Sequence, residues 1–146
     1  MIQRIQTLYF FLAAVVAGLY LYIPIIAFEY NGVTELLRAY EMKYFYEGYL
    51  IFVVLIAGCI SVGSNLIAVL LFKKYSLQKF FGGLSIVSML FCFGYVLYKW
   101  YFTDYIEDTV FYYGNITPWV VVLLNILALR GVAKDESLIK SYDRLR

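Results

Sequence analysis

Five neutral polar side chains, Ser64, Asn65, Ser85, Ser88 and Asn125, interrupt long apolar runs, and they are the groups best placed to act by hydrogen bonding or coordination. Counted from the nearest flanking basic residue, Asn65 lies eight positions from Lys73, Ser85 six from Lys79, Ser88 nine from Lys79 and Asn125 five from Arg130. If the runs are membrane helices, these residues share one depth and form a polar layer inside a bundle. Such groups either hold helices together, at roughly 0.6 kcal/mol per contact, or bind a polar solute or ion. Packing is the first reading, because no ionisable residue falls at that depth and proton or ion coupling usually needs one.

Other chemistries find little support. Histidine is absent, which removes imidazole-ligated zinc, histidine-ligated haem and histidine-based triads. Glu29, Glu35, Glu41, Glu47, Asp104, Glu107 and Asp108 all fall in polar connecting segments, where solvated charge is the ordinary state. Cys59 and Cys92 are single residues inside apolar runs and read as small packing groups. With no nucleophile and base, no metal-ligand cluster and no phosphate loop, the sequence points to a protein that is not an enzyme and needs no cofactor or metal. A net charge of +2 without a basic patch also argues against nucleic acid as a partner.

The elements that must position the polar layer are apolar helices. The chain of 146 residues is 64% hydrophobic and 15% charged, against about 25% charged in soluble domains. Its mean hydropathy is +0.78. One membrane domain, 1–146, with spans near 5–28, 49–72, 80–98 and 110–129 and a tail at 130–146, accounts for the pattern. Tyr49 to Phe72 is 24 residues without a charge, enough to cross a hydrocarbon core of about 30 Å. The uncharged run from Ile5 to Phe28 exceeds the apolar region of a signal peptide, about 7–15 residues, and reads as a first span that is kept. The expected architecture is all-α: an antiparallel four-helix transmembrane bundle. Ala57, Ser61, Ser64 and Ala68 on the second helix, and Ala14 and Gly18 on the first, supply small residues for close approach.

Positive charge sets the orientation. With the N-terminus cytoplasmic, Arg4, Lys73, Lys74, Lys79, Arg130, Lys134, Lys140, Arg144 and Arg146 lie inside, and only Arg38, Lys43 and Lys99 outside. Four spans return the C-terminus to the cytoplasm. The outer segments carry most of the 16 tyrosines and both tryptophans, an aromatic cap suited to the headgroup level and, secondarily, to a partner or lipid. Within that cap, Asn31-Gly32 suggests a short β-hairpin joining Ala27–Tyr30 to Val33–Glu35. An amphipathic helix capped by Thr34, with Leu36, Leu37, Tyr40 and Tyr44 on one side, is expected after it. Thr109–Tyr113 reads as a further short strand, overlapping the start of the fourth span.

The tail, Arg130 to Arg146, reads as a short cytoplasmic helix, either set off from the fourth span by Gly131 or continuous with it. Glu136 and Lys140 form an i, i+4 pair, and Leu138, Tyr142 and Leu145 share a face. It is either an anchor on anionic lipid or a docking helix. The mixed charges of Lys134, Asp135, Glu136, Asp143, Arg144 and Arg146 suit a protein contact better.

The opening MIQRIQTLYFFLAA, the loop FKKYSLQ and the ending LALRGVAKDESLIKSYDRLR resemble the small four-span membrane proteins of Bacteroidetes grouped as domain-of-unknown-function family 4293. The resemblance covers the whole chain and is most specific at its two ends. It implies a bacterial inner-membrane protein, multi-pass, and carries no activity, ligand or cofactor. The leading expectation for function is a non-enzymatic accessory subunit or assembly factor of a larger inner-membrane complex, whose partners are the lipid bilayer and other membrane or membrane-associated proteins. The alternative is a small transporter, channel or lipid-binding protein.

Overall fold

The structure, a computed structural model, describes residues 5–30, 33–38, 48–102, 110–111 and 113–143. In order, the elements are α1 (Ile5–Tyr20), β1 (Ile26–Tyr30), β2 (Val33–Leu37), α2 (Gly48–Leu70), α3 (Tyr75–Phe102), β3 (Val110–Phe111), a 3-10 turn at Tyr113–Ile116 and α4 (Thr117–Asp143). Among the described residues, three helices are long and apolar enough to cross a membrane, within Phe52–Leu70, Tyr75–Tyr98 and Tyr113–Ser141, while Ile5–Tyr20 is apolar but shorter.

Each helix packs on its two neighbours in a ring, α1 against α2 and α4, and α3 against α2 and α4. The connection between α2 and α3 is too short for anything but an antiparallel pair. The α1–α4 pair is antiparallel too: a Cβ on Gly131 would meet Gln6 near one end, while Gly114 donates its N–H to the Pro24 carbonyl at 3.1 Å near the other.

The helix expected over 5–28 stops at Tyr20. The last turn tightens, with Leu21 N–H on the Gly18 carbonyl and Tyr22 N–H on that of Leu19. Pro24 then forbids continuation, because its ring would collide with the Tyr20 carbonyl and it disfavours the helical region for Ile23. The chain turns into β1, which pairs antiparallel with β2 from Ile26↔Leu37 to Tyr30↔Val33 and with β3 through Ala27↔Val110, giving strand order β2-β1-β3. The hairpin is therefore present, so the fold is helical with a small sheet and not purely α. Thr34, Leu36 and Leu37 belong to β2 and not to an amphipathic helix; Tyr40 and Tyr44, and the turn residues Asn31 and Gly32, lie outside the described residues.

Two further boundaries differ from expectation. α3 starts five residues before the expected position 80, since Tyr75–Lys79 contains no helix breaker and Gln78 N–H already reaches the Lys74 carbonyl. α4 starts at Thr117 and not near Val110, because Val110 and Phe111 are engaged with β1; Pro118 then falls in the first turn, where its missing N–H is no loss. Of the two readings of the tail, the structure has the continuous one: α4 runs unbroken to Asp143. Gly131 serves close approach instead of termination, its face lying against Gln6.

Large apolar side chains such as Phe11, Ile56, Ile60, Val87, Phe91 and Leu123 are exposed around the outside of the ring, as expected of a surface whose solvent is hydrocarbon. Inside, the buried apolar residues fall into two clusters. Ala13, Ala17, Val54, Ala57, Met89, Cys92 and Val121 belong to one, and Phe10, Ala68, Ala128 and Val132 to the other.

Candidate functional site

Between the two apolar clusters lies the polar layer. Ser61 and Ser64 extend the buried stripe of α2, Ser85 faces them from α3, and Asn65 and Asn125 are both fully buried. Ser85 is the hub. Its hydroxyl oxygen accepts from Asn65 Nδ2 at 2.8 Å and from Asn125 Nδ2 at 3.2 Å, and it pairs with Ser61 Oγ at 2.8 Å. With two amide N–H groups filling its lone pairs, Ser85 must be the donor to Ser61.

Each asparagine amide gives its second hydrogen to a carbonyl one turn earlier in its own helix, Asn65 to Ser61 at 3.0 Å and Asn125 to Val121 at 3.0 Å. That double donation fixes the amide orientation, because a flipped amide would lose both bonds. It also leaves the Oδ1 atoms of both residues buried with no partner among the described residues. An unpaired buried acceptor costs about 1–3 kcal/mol, so two in one layer are a substantial fraction of any small domain's stability.

The five predicted layer residues thus divide. Asn65, Ser85 and Asn125 form one knot linking α2, α3 and α4, with the two asparagines joined through Ser85 and not to each other. Ser88 sits a turn further along and donates to the Ala57 carbonyl at 2.6 Å. Ser64 is buried on the same stripe but is not among the partners of Ser85. Ser61, read from sequence only as a small packing residue, is a full member.

Buried polar groups also occur where the sequence reading placed none. Gln78, fully buried, donates to the Ala68 carbonyl at 3.1 Å, and Gln6 is buried against Gly131. Asn115 donates to the Ile25 carbonyl at 2.6 Å. Cys92 Sγ lies 3.5 Å from the Val54 carbonyl. One signal was present: Gln78, Ser85 and Cys92 recur at intervals of seven along α3, so the face that buries Ser85 must bury the other two. A groove of about 470 Å³ on the outside of the α1–α2 pair, touched by Val15, Gly18, Leu19, Cys59, Val62 and Gly63, is apolar and separate from the knot.

The sequence profile described as Domain of unknown function (DUF4293) matches residues 2–145. The chain belongs to this family. Neither curated proteins nor solved structures give a match. Family membership therefore carries no activity to the chain, and any function has to be argued from its own residues.

The tail residues are the second candidate. Glu136 is half-buried and joins two lysines, Lys140 one turn on at 2.7 Å and Lys79 at the start of α3. Glu136 and Lys140 lie past the apolar part of α4, which ends before Arg130. Lys140 and then Lys79 hold the Glu136 carboxyl down at about 2. Lys134 is exposed and Asp135 half-buried, and Leu138 and Ile139 are 48% and 45% exposed. Ser137 and Ser141 bond back to carbonyls three residues earlier, within the helix. Tyr142 and Asp143 close α4, but their side chains, with Arg144, Leu145 and Arg146, lie outside the described residues.

Of the aromatic residues at the sheet end, Tyr101 and Tyr113 are exposed and Trp119 is 47% exposed with its ring edge-on to Phe93 at 5.1 Å. The side chains of Lys99 and Trp100 lie outside the described residues.

Proposed function

We propose that this protein is a non-enzymatic accessory subunit or assembly factor of a larger bacterial inner-membrane complex, with both termini cytoplasmic and the end of α4 as its main docking element. The observation that carries this reading is the continuity of α4 through Gly131 to Asp143. A helix lying on the lipid surface has to break where it leaves the bilayer. One that continues straight from Arg130 to Asp143 stands about 20 Å off the membrane. Leu138 and Ile139 are then presented to water, where two neighbouring apolar side chains favour a protein partner over lipid. The ion pair from Glu136 to Lys79 braces the base of this post against α3. The aromatic face at the sheet end is a second contact surface, outside.

The transport reading has less support. The knot sits between two apolar clusters, its donors are used internally, and the groove described above opens on the apolar exterior.

Extraction in a gentle detergent followed by native mass measurement tests the proposal. The full chain is expected to come out bound to other proteins, and a chain lacking Lys134 to Arg146 to lose them while still inserting. Recovery of the full chain as a bare monomer would count decisively against a subunit role.

A further inference from the structure

The unpaired oxygens of the knot point to a bound molecule. Asn65 and Asn125 donate from Nδ2 to the same Ser85 oxygen, at 2.8 and 3.2 Å, so the two nitrogens lie within about 6 Å of each other. Their Oδ1 atoms, part of the same rigid amides, are both buried and unpartnered. The fourth side of the ring at this level is α1. Phe10 touches the position of Gly82, and three residues along both helices, which run in the same direction, bring Ala13 level with Ser85. Ala13 and Ala17 are fully buried and Ala14 nearly so. Ala13 is thus the small side chain of α1 at the level of the knot, at the edge of the apolar cluster that it shares with Ala17.

We propose that Asn65 and Asn125 hold one buried water molecule between the knot and the alanine face of α1. The hydrogen-bond count selects this ligand. The two orphaned groups are both acceptors, so the missing partner is a donor with two hydrogens. Ser85 donates to Ser61, which leaves the Ser61 hydrogen for the water oxygen to accept. The water then makes three bonds, the usual number for a buried one. A metal cation is the poorer fit: the interior at this depth holds no carboxylate, and two neutral carbonyls fall short of the six or more oxygens that hard cations collect.

Nuclear magnetic resonance on the ¹⁵N-labelled full chain in lipid nanodiscs tests this. The side-chain amides of Asn65 and Asn125 are expected to show rotating-frame Overhauser contacts to water, of the sign that marks proximity and not exchange. Resonances are assigned by their loss in Asn65→Leu and Asn125→Leu. Where a variant does not fold, contacts to Val121 or Ser61 in the native chain assign them instead. Spectra recorded in sodium, potassium and choline chloride should be the same. Absence of water contacts at either amide overturns the proposal, and so does a saturable shift of these resonances with sodium or potassium, which would make the ligand a cation.

Discussion

Ser85 is where the bundle concentrates its polar bonding, and its removal has a definite signature. Ser85→Ala withdraws three side-chain hydrogen bonds and strands one hydrogen on each asparagine. At about 0.6 kcal/mol per interhelical bond in a membrane protein, rising toward the 1–3 kcal/mol of a stranded buried group, the expected loss is about 2–3 kcal/mol. Denaturant titration of the detergent-solubilised protein measures it. Because both asparagines act through one oxygen, Ser85→Ala combined with Asn125→Leu should cost less than the sum of the two. Strict additivity would mean the knot is not one unit. This chemistry was partly legible beforehand: depth from the flanking basic residues placed Asn65, Ser85 and Asn125 in one layer. A residue count resolves depth only to about one turn, however, which is why Ser88, three residues along the same face of α3, falls in the layer by count but bonds a turn away.

At the scale of elements, the glycines of α3 separate close approach from open surface. A Cβ on Gly82 would come within 2.9 Å of both Phe10 and Leu129, and Phe10 is fully buried with little room to move, whereas Gly83 meets nothing within 4 Å. Gly82→Ala should therefore destabilise by about 1–3 kcal/mol through overpacking. Gly83→Ala, one residue on, should be neutral or stabilising by up to about 1 kcal/mol through helix propensity. The same denaturant titration ranks the pair, and a loss at Gly83 equal to that at Gly82 would contradict the α1–α3–α4 packing. The link between α3 and α4 at Glu136 makes a prediction in pH. Its carboxyl is held at about 2 by Lys140 and Lys79, below its unfolded value of about 4.5, so the contribution is present above that value and is lost only as pH falls through about 2. The Glu136 carboxyl carbon should still report an ionised group at pH 4, and Lys79→Met should raise its midpoint. A midpoint near 4.5 in the native chain would mean the bridge does not form in solution. The i, i+4 partner Lys140 was readable from spacing, but Lys79 is 57 residues away. No local pattern announces it. Gly131 is ambiguous in sequence for a related reason, since the residue type that ends helices is also the one that lets two helices touch.

For the whole molecule the open question is how a 16-residue α1 completes a crossing. Its helix spans about 24 Å, short of a core of about 30 Å. Non-helical backbone at membrane depth is tolerated only where protein satisfies it, and that is what the start of the α4 arm does. Gly114 N–H takes the Pro24 carbonyl and Asn115 Nδ2 takes that of Ile25, the next carbonyl along, while Ile25 itself is buried. A Cβ on Gly114 would sit 2.4 Å from the Pro24 oxygen, so glycine is required for this contact. Leu21 to Ile23 continue as a tightened turn at about 2 Å per residue, and Pro24 and Ile25 follow at about 3.3 Å per residue, which adds about 13 Å, enough for the first arm to reach across. On the proposed topology this makes four crossings, with both termini on one side. Fusing a fluorescent protein, active only in the cytoplasm, and alkaline phosphatase, active only outside, to each terminus in turn should give fluorescence at both ends and phosphatase activity at neither. Reporters split between the two sides would mean that α1 does not cross. The three longer helices would then be the only spans, and the Pro24–Gly114 and Ile25–Asn115 bonds would anchor a segment dipping into one leaflet. Nine of the twelve basic residues predict the first outcome. The pairing of backbone groups at Pro24 and Ile25 makes it physically available, because it removes the cost that would otherwise keep an unwound segment out of the bilayer.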